Sequence, residues 1–126
     1  MNRQEVGKLG EELAQKFLKK QGYHIRETNF RCHEGEIDII AQQGDYLVFI
    51  EVRTKSNLDF GSPEESITRD KKEKLIAAAL TYINIHQKLP SLWRIDVVAL
   101  EVNDKGKAKR IELIENAIEQ DSHFIC

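Results

Sequence analysis

The run Tyr46-Leu47-Val48-Phe49-Ile50-Glu51-Val52-Arg53 limits the folds open to this chain more than any other segment. Its β-branched and aromatic content, with no apolar/polar alternation, is that of a strand buried on both faces, so it belongs at the centre of a sheet. Two segments can cover that sheet. Val6, Leu9, Leu13, Ala14, Phe17 and Leu18 recur at spacings of three and four and predict an amphipathic helix over about 3–21, with Lys16, Lys19 and Lys20 at its carbonyl end and Gly22 as its stop. Leu75, Ile76, Ala79, Tyr82 and Ile83 form the stripe of a second helix, capped by Thr68 and running to about His86.

The other strands are weaker. Residues 23–31 and 36–42 alternate, and the polar link Gln42-Gln43-Gly44-Asp45 joins the latter to the central run as a hairpin. Trp93, Ile95, Val97 and Ala99 alternate in a fourth strand, and a turn at 103–106 precedes a fifth around 110–114. Residues 54–67 read as a loop, in which Ser62 and Glu65 stand at capping-box spacing, a false start if Thr68 caps the helix. Residues 117–126 read as a surface tail. The order is α-β-β-β-α-β-β, that of a chain mixing helices and strands. At 126 residues this is one domain spanning 1–126.

A net charge of −2 provides no global field to draw the chain onto nucleic acid, so any such surface must be local. The longest apolar runs, 75–80 and 46–50, are too short to span a membrane. A charged N-terminus unlike a secretory signal, and two cysteines without a disulfide framework, point to the cytoplasm.

Polar residues where strand logic expects apolar ones carry the chemistry. Glu51 interrupts the central run. With Gln43-Gly44 as the hairpin tip, Asp38 falls opposite Phe49 and Glu36 opposite Glu51, and Arg53 points the same way, so three carboxylates and a guanidinium converge at one end of the sheet. Facing like charges destabilise a sheet unless a divalent cation binds between them or one carries a proton. All-oxygen ligands favour Mg²⁺ or Mn²⁺ over zinc. The alternative is a solvated edge at which Glu51 pairs with Arg53 or Lys55.

Gly35-Glu36-Ile37-Asp38 followed by Phe49-Ile50-Glu51-Val52-Arg53 resembles the D…ExK signature of restriction-endonuclease-like nucleases. Gly10-Glu11 with Ala14, Asn29-Phe30-Arg31, Ser62-Pro63-Glu64-Glu65, Lys71 with Ala78 and Tyr82, and Arg94-Ile95-Asp96-Val97-Val98 resemble the bacterial YraN-like family, similar in fold to archaeal Holliday junction resolvases. That resemblance implies a restriction-endonuclease-like α/β domain, with a mixed central sheet and helices on both faces, and a Mg²⁺- or Mn²⁺-dependent nuclease acting on DNA, branched or flapped. It implies Asp38, Glu51 and the Val52 carbonyl as metal ligands, Glu11 as a further acid from the first helix, and a homodimer, since symmetric cutting of two strands needs two sites. Arg53 departs from the signature, which has lysine there. Arginine cannot act as a general base but can hold a phosphate, which leaves open a nucleic-acid-binding module without turnover.

Arg69, Lys71, Lys72 and Lys74 open the second helix, where cations oppose the helix dipole unless they serve something outside it; with Arg31 and Lys55 they are the candidate phosphate contacts. Lys105, Lys107, Lys109 and Arg110 form a second, weaker cluster. Cys32-His33 has no partner pair to complete a zinc site, and Asp96 braces Arg94 or supports a metal ligand.

Overall fold

The computed structural model describes residues 1–57 and 61–118. Helix α1 (Arg3–Lys20) opens on a capping box in which the Asn2 side chain accepts from the Glu5 N–H and the Glu5 carboxylate from the Asn2 N–H; Lys19 and Lys20 occupy its last turn. The chain then forms β1 (His24–Cys32), β2 (Gly35–Gln43) and β3 (Tyr46–Lys55). A 3₁₀ turn at Glu64–Ser66 precedes α2 (Arg69–Ile85), β4 (Leu92–Val102) and β5 (Ala108–Ile118). Ser62 and Glu65 do exchange capping hydrogen bonds, on that 3₁₀ turn, while Thr68 Oγ1 accepts from the Lys71 N–H and caps α2.

The five strands form one mixed sheet in the order β1-β2-β3-β4-β5, with β3 at its centre as its sequence requires. β3 and β4 run parallel, so the chain between them must cross over, and α2 makes the crossing; the other neighbours are antiparallel. Ala14 and Leu18 of α1 pack on Ile39, Ala41, Val48, Ile50, Val98 and Leu100 on one face. On the other, Leu75, Ile76, Ala79 and Tyr82 of α2 pack on Ile40, Leu47, Phe49 and Ile95. Tyr82 meets the edges of Phe30 and Phe49, and Trp93 the edge of Phe49, which makes Trp93 a packing residue.

Two expectations need correction. The hairpin link is Gly44-Asp45, with Gly44 at φ 58 in the first central position, where primed hairpin turns favour glycine. Phe49 therefore pairs with Ile40 and not Asp38, and Glu36 pairs with Arg31 on β1 and not with Glu51. The shift is two residues, which preserves the faces of the paired stretch, but alternation along β2 breaks at Asp38: Ile37 packs in the α2 core and Ile39 in the α1 core. The tail begins later than expected: Ala117 and Ile118 finish β5, with Ile118 buried opposite Ile95, and the rest, 119–126, lies outside the described residues. Asn116, at φ 48, is the middle one of the three β5 residues, 115–117, that stand against Asp96 alone in this bulge.

That bulge directs the Asn116 N–H to Asp96 Oδ1 at 2.8 Å. Fully buried Asp96 also accepts from Arg94 Nε (3.0 Å) and from the Tyr23 hydroxyl (3.1 Å), whose own pKa burial pushes up to about 12. Arg94 in turn donates to Tyr23 and Gln43 and stacks over Tyr46, so Asp96 is a brace joining α1's exit, the hairpin and β5. Among the described residues no helix is long and apolar enough to cross a membrane.

Candidate functional site

The β2/β3 ladder stops at Ile39 and Ile50, although β2 begins at Gly35 and β3 continues to Lys55. Continuing the register would set Asp38 opposite Glu51 and Ile37 opposite Val52. Instead the strands part. Asp38 Oδ2 accepts the Val52 N–H at 2.8 Å, a donor the ladder would have given to the Ile37 carbonyl. In an extended strand the carbonyl of a residue points to the same side as its N–H, so the Val52 main chain faces the acids in this notch.

Glu51 approaches from the α2 side, among the neighbours of Phe49. Its side chain is only 4% exposed; Oε2 lies 2.8 Å from Arg53 Nη2 and 3.9 Å from Lys71 Nζ, while Oε1 is buried and takes no N–H donor among the described residues; the carboxyl can share a further hydrogen bond with Asp38 only when one of the two carries a proton. Burial and then the Asp38 charge drive its pKa up, against the pull of Lys71 and Arg53, to about 8. Asp38 is also raised, by burial foremost, and is held back by the Val52 N–H. Two carboxyls so placed do not both ionise readily without a cation.

Glu11 approaches from the α1 side. Gly10 makes this possible: a Cβ there would stand 1.8 Å from Thr54 Oγ1, so only glycine lets α1 settle this closely on the end of β3. Burial raises the Glu11 pKa, and Asp38 and Glu36 add to it. Asp38 is thus the hinge of the cluster, its charge acting on Glu51 from one face and Glu11 from the other. Glu36 is half-exposed and ion-paired with Arg31 at 3.3 Å.

The structure divides the candidate cations. Lys71 turns inward to Glu51 and is only 26% exposed, so it belongs to the acid cluster and not to an outer phosphate-binding row. The signal was present in the sequence as a cation in the first turn of a helix, where it opposes the dipole. Arg69 and Lys74 lie outside, paired with Glu73 (3.6 Å) and Asp70 (3.0 Å) on their own helix; Lys72 is exposed. Lys55 is half-buried at the end of β3. Cys32 donates its thiol to the Gly35 carbonyl and has a structural role.

No three His, Cys, Asp or Glu side chains among the described residues gather into a metal cage. The donors at hand are two carboxylates and a main-chain carbonyl. That set suits a hard cation that retains several waters, as Mg²⁺ does, and the unpartnered Glu51 Oε1 is the atom such an ion would satisfy.

Residues 10–100 match the family described as Uncharacterised protein family UPF0102. The chain is 48% identical over 120 residues to a UPF0102 protein of Dehalococcoides mccartyi, covering 95% of this chain and 98% of that one. It is 44% identical over 117 residues to a UPF0102 protein of Caldicellulosiruptor saccharolyticus (93% and 99% covered) and 42% over 119 to one of Legionella pneumophila (92% and 96%).

Proposed function

Since this chain belongs to the UPF0102 family, the YraN-like proteins, we propose that its acid notch is the site of a divalent-cation-dependent nuclease on a restriction-endonuclease-like, resolvase-like fold. The observation that carries this reading is Glu51: a carboxyl buried against Asp38 at a cost to folding, with one oxygen left unpartnered. Asp38, Glu51 and the Val52 carbonyl would hold Mg²⁺ or Mn²⁺. When bound, the cation would make a coordinated water more acidic than bulk water and neutralise charge on the scissile phosphate.

The chain's own residues do the rest. The Val52 N–H fixes the Asp38 carboxylate through Oδ2. Arg53 and Lys71 hold Glu51 Oε2 in one orientation, so the free Oε1 is aimed by two contacts on its sister atom. Glu11, whose pKa burial and the Asp38 charge raise, can hydrogen-bond at the α1 side. Arg53 is the residue that favours the second reading, a nucleic-acid-binding module without turnover: a guanidinium stands where the signature has an amine, and it is already engaged with Glu51. A panel of end-labelled duplex, single-stranded, flap and four-way DNA incubated with Mg²⁺ or Mn²⁺ separates them. The nuclease reading expects shorter fragments that disappear in Glu51→Gln; binding to the panel with every strand intact supports the module.

A further inference from the structure

Two clefts meet at the end of β3. One, of about 590 Å³, lies between the first turns of α1 and the end of β3, is lined by Arg3, Glu11, Asp38, Val52, Arg53 and Lys55, and so opens directly on the acid notch. The other, of about 270 Å³, continues from Lys55, Ser56 and Asn57 across the ends of β4 and β5 to Lys109. Because Lys55, Ser56 and Asn57 line both, the two form one groove running over the end of the sheet.

The cations of this groove differ from those of α2. Among the described residues Arg3, Lys55 and Lys109 enter no ion pair, whereas Arg69 and Lys74 are neutralised by carboxylates one helical turn away. Unpaired cations spaced along a groove are free to exchange counterions for phosphates. Lys71, which does not line the groove, stands behind Glu51 and is a positioning residue.

Depth decides what the groove can take. Asp38 and Val52 line the groove whereas Glu51, almost wholly enclosed, does not, so a scissile phosphate must come down to the notch on its Asp38 side. A duplex, stiff over roughly 150 base pairs, resists so local a bend, whereas a single strand can follow a narrow groove with its backbone alone. Resting on the nuclease reading, we propose that the substrate is a single strand or a single-stranded flap, laid from Arg3 past the acid notch to Lys55 and Lys109, and that α2 lies off its path.

The test is fluorescence anisotropy of a labelled oligonucleotide of about 12 nucleotides, a length typical of single-strand grooves, and of its duplex, in Ca²⁺ so that binding is read apart from turnover. The single strand should bind more tightly than the duplex. For Arg3→Ala/Lys55→Ala/Lys109→Ala the slope of log affinity against log salt should fall by about 2, since each lost phosphate contact on a single strand is worth roughly 0.7. Lys19→Ala/Lys20→Ala, which removes two exposed charges from the far end of α1, should leave the slope as in wild type. Duplex bound at least as tightly as single strand, or a slope unchanged in the triple variant, overturns this path; if wild type still cleaves DNA in Mg²⁺, the nuclease reading survives it. Failure to bind either form, with no cleavage, removes both.

Discussion

Glu51 should make this protein less stable as pH rises through neutrality, the reverse of the usual behaviour of a carboxylate. Its pKa in the folded chain is about 8, against about 4.5 when unfolded, through burial first and the Asp38 charge second. The folded state therefore binds more protons than the unfolded one between those values, and stability falls across that window. Below pH 4.5 the group contributes nothing, and above 8 the loss is complete. At 1.36 kcal/mol per unit, the loss reaches about 3 kcal/mol at pH 7, or roughly 10 °C in Tm for a domain of this size. Asp38 and Glu11, also raised, add in the same direction. Urea denaturation in EDTA at a series of pH values between 5 and 8 reads this as a falling midpoint. Glu51→Gln should flatten most of the slope and match or exceed wild type at pH 7, because it removes the charge at nearly constant volume. Millimolar Mg²⁺ should restore wild type near pH 7 and do little for the variant; occupancy at about 100 times the dissociation constant is worth roughly 2.7 kcal/mol. A flat wild-type profile, or a Glu51→Gln variant that is strongly destabilised at pH 7, would show that Glu51 is an ordinary ion-pair partner of Arg53 and Lys71.

Three further outcomes follow from the geometry. Gly10→Ala should cost about 1–3 kcal/mol in a denaturation midpoint by forcing α1 off β3, and Thr54→Ala should relieve only part of it, since the Thr54 Cβ would still lie 2.8 Å from the new methyl. Asp38→Asn should fold, because the amide oxygen can still accept from Val52, while losing the Mg²⁺-induced rise in Tm; Asp38→Ala leaves that N–H unpaired and should cost about 1–3 kcal/mol more. Lys71→Met should bind Mn²⁺ as well as or better than wild type in calorimetry, since a competing positive charge is gone, yet cleave DNA more slowly because Glu51 is no longer held from both sides.

The elements were legible where one periodicity ran unbroken. The α1 stripe and the β3 run each specify a face or a pair of faces, and the helix and central strand stand where those patterns put them. The hairpin register was not legible. Gln42-Gln43-Gly44-Asp45 offers two tips, and the choice turns on which central position needs the positive φ of Gly44. Because moving the tip by one residue moves the register by two, Asp38 and Glu51 reach the same end of the sheet in either case, which is why the acid pair could be read although its pairing could not. Lys71 was legible only as a misplaced charge. Its distance from Glu51 depends on how α2 crosses the sheet, a tertiary relation that no local spacing encodes. The far end of β5 was obscured by Glu115 and Asn116, which break the alternation and form the bulge that returns Ile118 to the core.

The claim at the centre of this account is that Asp38 and Glu51 hold the cation with which a phosphodiester bond is cut, and it is tested most directly by measuring Mn²⁺ occupancy and DNA cleavage in the same samples. Free Mn²⁺ is followed by its paramagnetic signal, and the cleavage rate of a labelled flap substrate is recorded at each concentration. The account predicts that rate and occupancy rise together in wild type and that both are lost in Glu51→Gln and Asp38→Asn. Saturated Mn²⁺ with every strand intact, or cleavage undiminished in Glu51→Gln, would contradict it.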